Sequence, residues 1–89
     1  MSDVIATTAG VMKPVQPMNG KCYSLRELQH YVGGNIETVS LGNKVLVVDE
    51  EGKIKNKLPN KIATGWIITS GYNDYICGDA MLIEREHIQ

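Results

Sequence analysis

One stretch of the chain repeats its apolar residues at helical spacing and predicts a helix over residues 24–33. Leu25, Leu28 and Val32 would lie along one face of this helix, with Tyr31 beside them. A helix with one apolar stripe buries that stripe against the rest of its domain.

The two ends of this helix are marked by residues that favour helix termini. Ser24 is a good N-cap, and Glu27 completes a capping box by reaching back to the backbone N–H of the cap residue. Gly33 can take the left-handed conformation that ends a helix, and Gly34 adds conformational freedom to the backbone before the next strand. A phosphate-binding role would need the glycines at the start of a helix, so we interpret the pair as a helix stop.

The remaining apolar runs predict the strands of a small sheet. Val45 to Val48 are apolar in succession, so both faces of that strand should be covered, which favours a central position. Residues 35–41 are interpreted as the strand before it, and residues 3–10 as the first strand of the chain. Pro14 and Pro17 restrict any strand around them to an edge of the sheet.

The second half of the chain contains three further predicted strands. Gly52, at a positive-φ position, turns the chain into a short partner strand over residues 53–57. Residues 66–70, Trp-Ile-Ile-Thr-Ser, predict another strand. Residues 75–86 predict the last strand, with a bend at Gly78.

Together these elements predict an α+β domain, with a small, mostly antiparallel sheet and the one main helix packed on one face. The 89 residues suffice for a single domain, residues 1–89, with one small core. Apolar residues make up 43% of the chain and charged residues 21%, a balance typical of globular rather than disordered proteins.

Charge and cysteine content limit the classes of partner and compartment. The net charge is −1, so no overall field favours nucleic acid or a membrane. No apolar run approaches the ~20 residues of a spanning helix, and the sequence starts without the pattern of a secretory signal. Cys22 and Cys77 are far apart and are interpreted as reduced thiols, so we expect a cytoplasmic protein.

The order of these features resembles a known family. The segments that carry the resemblance are "LRELQHYVGG" running into "IETVSL", the "LVVDEEGKIKNKLPN" segment with "IAT" behind it, and "DYICGDAMLI". Together they resemble the small uncharacterised family called domain of unknown function 3846, over nearly the whole chain. That family is associated with gut bacteria, their phages and mobile elements. The resemblance implies a cytoplasmic bacterial or phage accessory protein, and it implies no particular activity.

Glu37 is a candidate ligand-binding residue because strand alternation places it on the same face as Val39 and Leu41. If that face is the core side, the carboxylate needs a partner or a ligand, since an unpaired buried carboxylate is costly. Alternatively, Ile36 is the buried residue and Glu37 is solvated at the start of the strand. The family resemblance includes this position.

Four of the nine basic residues form a local basic edge: Lys53, Lys55, Lys57 and Lys61. If residues 53–57 form a strand, its lysines share one face, which suits contact with the phosphates of a nucleotide or nucleic acid. The same pattern suits an edge strand that lysines protect from aggregation. We favour edge protection, and we keep all four lysines as candidate ligand-binding residues.

Asn60 is the last candidate ligand-binding residue, because with Ala63 and Thr64 it matches the family-like pattern. Its simpler role is to cap a single helical turn over residues 61–64. Its alternative role is to bind the polar edge of a ligand through its amide.

The sequence predicts no catalytic residues, no metal site and no cofactor. The acids of residues 49–51 lack the spaced ligand series of a calcium loop. His30 and His87 are isolated from any zinc or nucleophile pattern.

The sequence therefore favours a small non-enzymatic accessory protein that binds a protein partner or a small ligand. Open sheet edges would permit a homodimer through an edge strand. The alternative is a nucleotide or nucleic-acid binding module that uses the lysines between residues 53 and 61. The near-neutral charge makes nucleic acid the weaker of these partners, and no membrane partner is expected.

Overall fold

The computed structural model describes residues 3–88, which form one five-stranded sheet with an α-helix on each face. Along the chain the elements are β1 (Asp3–Ala6), β2 (Met12–Val15), α1 (Leu25–Val32), β3 (Ile36–Leu41), β4 (Lys44–Asp49), α2 (Lys61–Thr69), β5 (Ala80–Glu84) and a 3₁₀ turn (Arg85–His87). The order across the sheet is β2-β1-β5-β4-β3, and every neighbouring pair is antiparallel. The predicted α+β class and antiparallel sheet are confirmed.

The valine-rich strand β4 lies inside the sheet, as predicted. Val45 and Val47 belong to the apolar cluster beneath α1, whereas Leu46 and Val48 belong to the cluster beneath α2. Successive side chains of a strand point to opposite faces. A strand covered on both faces is therefore apolar at consecutive positions, and this accounts for the unbroken run.

Helix α1 begins and ends where its sequence predicts. Ser24 Oγ accepts from the Glu27 N–H at 3.1 Å, and Glu27 Oε1 accepts from the Ser24 N–H at 2.8 Å, which completes the capping box. Gly33 adopts φ +79° and ends the helix. Leu28 and Val32 are buried, and the helix packs on β3, β4 and β5.

Proline places β2 at one edge of the sheet, as predicted. Pro14 lies opposite Val4 in the β1–β2 pairing, and no strand within residues 3–88 pairs with the other side of β2. Strand β1 is shorter than predicted, because it ends at Ala6 and the chain turns before Gly10. The opposite edge of the sheet is formed by β3.

The predicted strand over residues 53–57 is wrong. These residues form consecutive turns, in which Lys55 N–H donates to Glu51 at 2.9 Å and Asn56 N–H donates to Lys53 at 3.1 Å. The predicted positive φ at Gly52 is also wrong, because Gly52 is not among the glycines with a positive φ. A Cβ at Gly52 would instead overlap the backbone carbonyl of Cys77, so this turn needs glycine for a close approach.

The predicted strand over residues 66–70 is also wrong, because most of this segment forms the second half of helix α2. Asn60 is the N-cap of that helix and accepts from the Ala63 N–H at 3.0 Å. The predicted single turn over residues 61–64 thus extends to nine residues. Ala63 and Ile67, four residues apart, lie on the same face of the helix and are buried against the sheet. This packing outweighs the preference of the adjacent residues Ile67 and Ile68 for a strand.

The last strand is shorter than predicted and lies at the centre of the sheet. Gly78 has φ +92°, which confirms the predicted bend, and β5 begins after it at Ala80. Ala80, Met81 and Ile83 are completely buried. Strands β1 and β2 form one hairpin, and β3 and β4 form another. Because β5 pairs with both β1 and β4, it joins the two hairpins into one sheet.

Candidate functional site

Two of the predicted ligand-binding lysines, Lys55 and Lys57, are bonded to the buried carboxylate of Asp49. Lys55 Nζ lies 3.0 Å and Lys57 Nζ 2.5 Å from Asp49 Oδ2, and the Asp49 side chain is fully buried. Lys57 Nζ also donates to the carbonyls of Val32 at 2.8 Å and Gly33 at 3.2 Å, at the C-terminal end of α1. Cations at this end of a helix interact favourably with its dipole. These contacts give both lysines a structural role.

The carboxylate of Asp49 is kept ionised by its neighbours. Burial by itself raises the pKa of this group, but hydrogen bonds from Lys57, from the Glu51 N–H and from Lys55 outweigh it. The net result is a pKa lowered from 3.8 to about 2. A buried carboxylate bonded in this way is a fixed ionic anchor for the turn that follows β4.

Three glycines leave room for the two lysines. A Cβ at Gly33 would lie 2.9 Å from Lys57 Nζ, and a Cβ at Gly78 would lie 2.9 Å from Lys57 Cδ. A Cβ at Gly34 would overlap Lys55 Nζ and lie 2.9 Å from both carboxylate oxygens of Asp49. The glycine pair thus ends the helix, as predicted, and also accommodates the lysines.

Asn60 is buried, with both ends of its amide engaged by the protein. Its Nδ2 donates to the Ala6 carbonyl at 2.8 Å and the Gly78 carbonyl at 2.9 Å, while its Oδ1 caps α2. Lys61, the next residue, is exposed at the first position of α2. The structure therefore separates these two predicted residues from Glu37 and Lys53.

Glu37 and Lys53 meet at a groove on the α2 face of the sheet, which we call the β3 groove. It has a volume of about 520 Å³ and lies between β3, the turn after β4, and residues 72–77. Its floor is apolar and is formed by Val39, Val48, Ile67 and Ile76. An apolar floor with polar groups at the rim is the usual composition of a binding site.

The rim of the β3 groove carries more acids than bases. Glu37, Glu50 and Asp74 line it together with a single lysine, Lys53. Asp49 also borders the groove, but its charge is balanced by Lys55 and Lys57. Excess negative charge at a partly enclosed surface favours a cationic ligand.

Lys53 already shows how the rim can bind a cation. Its Nζ lies 2.5 Å from Asp74 Oδ1 and 4.1 Å from the centre of the Tyr75 ring. The hydrogen bond with Asp74 raises the pKa of Lys53, and the same contact lowers the pKa of Asp74. A carboxylate beside an aromatic face suits ammonium and guanidinium groups.

Two tyrosines stand at the rim with large parts of their rings exposed. Tyr72 is 43% and Tyr75 is 51% exposed. The Tyr72 hydroxyl donates to the backbone carbonyl of Ser40 on β3 at 3.0 Å. Exposed tyrosines are enriched where proteins bind partners, because they offer a large apolar area and a polar tip.

The structure shows which of the two predicted environments of Glu37, buried on the core side or solvated at the start of the strand, is present. Glu37 shares its face with Val39 and Leu41, as predicted, and these two residues pack on the α2 cluster. Glu37 itself is exposed, since it lies where the groove opens at the start of β3. Its carboxylate is thus both solvated and directed to the groove, so it needs no internal partner.

Matches to known proteins assign the chain to a family. Residues 4–88 match the family described as Domain of unknown function (DUF3846). The chain belongs to this family. No curated protein matches the chain, and no solved structure does. The resemblance drawn from the sequence is therefore confirmed, and DUF3846 membership names no ligand.

In this DUF3846 chain a smaller recess lies on the α1 side of β3. It has a volume of about 250 Å³, and Thr38, Ser40 and Arg85 contribute its polar groups. Arg85 Nη2 donates to Ser40 Oγ at 2.6 Å and to the Gly42 carbonyl at 2.7 Å. Within residues 3–88, Arg85 makes no ion pair with a carboxylate.

A second cluster of ionisable groups is structural and lies away from the groove. Asp3 Oδ2 accepts from the Tyr23 hydroxyl at 2.9 Å and lies 2.6 Å from His87 Nδ1. Burial, and then the hydrogen bond to Asp3, raise the pKa of Tyr23. The cluster connects β1, the start of α1 and the 3₁₀ turn of the DUF3846 fold.

The described part of the chain contains neither a metal cluster nor a membrane-spanning helix. No group of three or more His, Cys, Asp or Glu residues within residues 3–88 could hold a metal ion. The α-helices in this range, with eight and nine residues, are too short to cross a bilayer.

The sequence analysis did not identify four residues that line the β3 groove or the recess beside it: Tyr72, Asp74, Tyr75 and Arg85. They follow α2 or β5 in sequence and reach β3 only through the tertiary fold. The one available signal was the pair of tyrosines around Asn73 and Asp74, since aromatic residues in a polar turn are often exposed for binding.

Proposed function

We propose that this chain is a small non-enzymatic binding module whose β3 groove holds a cationic group of a protein partner or small ligand. The observation that carries the proposal is the composition of the groove. Tyr72 and Tyr75 stand exposed over an apolar floor, and the rim carries three acids against one lysine. This combination suits a ligand with an apolar stem and a positively charged end.

The polar groups of the groove form pairs that suit binding. Lys53 is paired with Asp74, and the Tyr72 hydroxyl with the Ser40 carbonyl. A ligand can exchange these exposed contacts for its own at little cost, because exposed ion pairs contribute little to stability. Cys22 and Cys77 are free thiols, which agrees with the proposed setting in a bacterial or phage-infected cytoplasm.

The nucleotide alternative has less support from the geometry. Lys55 and Lys57, which would have contacted phosphate, are bonded to Asp49. The neighbouring groove would repel a phosphate, because its rim carries Glu37 and Glu50. A negatively charged ligand at these two lysines would compete with the buried carboxylate of Asp49, which already binds both ammonium groups.

An NMR titration tests the proposal. We expect N-acetyl-arginine methylamide and N-acetyl-lysine methylamide to shift backbone amides of the groove, at Glu37, Lys53 and Cys77. Adenosine monophosphate serves as the anionic probe and should leave these amides unchanged. Tyr75→Ala should weaken the response to the arginine probe.

The matched control is Met12→Ala, at an exposed residue on the opposite edge of the sheet. It should leave the titration unchanged. The proposal is overturned if the cationic probes leave the groove amides unshifted. A response that is the same in Tyr75→Ala as in the wild type would overturn it too.

A further inference from the structure

We propose that the occupant of the β3 groove is an extended segment of a partner protein, which adds to the sheet as a sixth strand beside β3. Its basic and apolar side chains enter the groove, and an acidic side chain faces Arg85. This inference rests on the proposed binding function and specifies its partner.

The backbone of β3 offers a template for strand addition. The Glu50 N–H donates to the Asn35 carbonyl at 2.8 Å, and β3 pairs residue for residue with β4 from there to Leu41. In an antiparallel pair the bonded residues alternate, so the peptide groups of Ile36, Thr38 and Ser40 point away from β4. Within residues 3–88 no strand pairs with this side.

A side chain of the protein already occupies one of these outward positions. The Tyr72 hydroxyl donates to the Ser40 carbonyl, which shows that the group is accessible and accepts a hydrogen bond from outside the sheet. Tyr72 is half exposed and comes from the loop after α2. A peptide N–H can replace the hydroxyl without moving β3, so the contact with Tyr72 does not block strand addition at Ser40.

The two sides of β3 fit the alternating side chains of an added strand. The β3 groove opens on the α2 face, and the recess with Arg85 opens on the α1 face. Successive residues of a strand point to opposite faces. One set of partner side chains would therefore meet the acidic groove and the other set the recess, as in known cases of strand addition.

The charges on the two sides specify the pattern of the partner. The groove rim carries Glu37, Glu50 and Asp74 against Lys53, and therefore favours Arg or Lys. Among residues 3–88, Arg85 on the other side donates to a hydroxyl and a carbonyl and to no carboxylate, and it therefore favours a carboxylate of the partner. The complementary strand alternates basic or apolar residues with small or acidic ones.

A second copy of this chain fits the same edge less well. Antiparallel pairing of β3 with its own copy, centred on Thr38, would bring both Glu37 side chains to the α2 face. Each copy would then add an acid to a groove that is already acidic. Like charges close together on a sheet are destabilising, so the charge pattern favours a basic partner over self-association.

The test uses a palindromic seven-residue peptide, acetyl-Leu-Thr-Arg-Asp-Arg-Thr-Leu-amide, whose pattern is the same in both strand directions. A charge-swapped peptide, with Asp at the two Arg positions and Arg at the Asp position, is the matched control. We expect the first peptide to bind at least about tenfold more tightly, measured by NMR titration and fluorescence anisotropy. Equal affinities would overturn the proposed charge pattern.

Backbone pairing is tested on both partners. Methylation of the peptide nitrogens that face β3 should abolish binding, whereas methylation at the alternate residues should not. If both methylated peptides bind like the parent, strand addition is wrong. In the protein, Thr38→Pro removes the outward N–H while the ladder to β4 remains, since edge strands tolerate proline. This variant should fold and lose the peptide.

Further variants keep the test decisive if Thr38→Pro does not fold. Glu37→Lys should reverse the preference between the two peptides, and Arg85→Gln should weaken only the parent peptide. Glu86→Gln, at an exposed residue one position along the chain, is the matched control. Sedimentation without peptide completes the test, because a dimer that Thr38→Pro dissociates would identify a second copy as the occupant and overturn the inference.

The two proposals fail in different ways. If the arginine and lysine probes leave the groove unshifted, the binding function itself is wrong. If those probes bind but the parent peptide binds no more tightly than the arginine probe, only strand addition is wrong.

Discussion

Lys57 connects the end of strand β4 to the end of helix α1: its Nζ lies 2.5 Å from Asp49 Oδ2 and 2.8 Å from the Val32 carbonyl oxygen. The segment after β4 has turns instead of a regular strand, and this contact holds it in place. The position of Lys53 at the groove depends on that segment. The buried ionic anchor therefore supports the binding surface, which Asp49 itself borders.

Removal of the Asp49 charge should destabilise the protein. Asp49→Asn leaves Lys55 and Lys57 without their carboxylate. We expect the free energy of unfolding to fall by about 2 kcal/mol, which is typical of a lost hydrogen bond to a charged group. The measurement is urea unfolding at neutral pH. Asp74→Asn is the matched control, because it removes an exposed ion pair and should have little effect. Equal losses in the two variants would contradict the role of the buried anchor.

The same group predicts a dependence of stability on pH. The folded pKa of Asp49 is lowered from 3.8 to about 2, so its contribution is fully present above the unfolded value and is lost as pH falls through the folded value. The free energy of unfolding of the wild type should therefore exceed that of Asp49→Asn at neutral pH, and this difference should disappear as the pH falls from about 4 to about 2. Unfolding curves at several pH values across this window measure it, and a constant difference would contradict the prediction.

Two glycines should respond to alanine in opposite directions. Gly52→Ala places a Cβ against the Cys77 carbonyl, a backbone atom that cannot easily move, and should cost about 2 kcal/mol. Gly65→Ala fills open space in the middle of α2 and should stabilise by up to about 1 kcal/mol, because alanine is the better helix former. Thermal unfolding of both variants checks the pair, and a stable Gly52→Ala protein would contradict the close packing.

Asn60→Asp should create a protein whose stability falls as pH rises. The introduced carboxylate keeps the cap to the Ala63 N–H but faces the carbonyl oxygens of Ala6 and Gly78 in a buried site. These contacts raise its folded pKa, so the protonated form is preferred and stability is lost as pH rises through that value. We expect the free energy of unfolding of Asn60→Asp to be about 3 kcal/mol below that of the wild type at pH 7, and the difference to be smaller at pH 4. Thermal unfolding at the two pH values measures the difference, and an equal cost at both would contradict the prediction.

Tyr23→Phe should destabilise the connection between the start of β1 and the start of α1. The hydroxyl is fully buried and donates to the buried Asp3 carboxylate at 2.9 Å, so its removal should cost about 1–2 kcal/mol. Tyr75→Phe, at an exposed ring, is the control and should change little. Chemical unfolding compares them, and no difference between them would contradict the prediction.

Elements that depend on local chemistry could be predicted from the sequence. Helix α1 has its cap at Ser24, its reciprocal partner at Glu27 and its stop at Gly33, all within ten residues. The interior position of β4 follows from its apolar run, and the edge position of β2 from Pro14. In each case neighbouring residues decide the structure, so no knowledge of the fold is needed.

Elements that depend on tertiary packing were missed. Helix α2 is apolar on several sides, and its Ile67-Ile68 pair favours a strand, but Ala63 and Ile67 pack on the sheet and decide the outcome. The lysines at 55 and 57 suggested a charged strand because nothing local shows that Asp49 binds them both. The groove joins β3 to residues more than thirty positions away, such as Tyr72. Only the folded chain brings these residues together.

Strand β5 lies between two hairpins that are made before it during protein synthesis. The β1–β2 and β3–β4 hairpins do not pair with each other in the described residues, and each pairs with β5. On the ribosome, the sheet cannot close until residues 80–84 leave the exit tunnel. Until then, the inner edges of β1 and β4 stay unpaired, so a nascent chain stalled before Ala80 would be prone to aggregate.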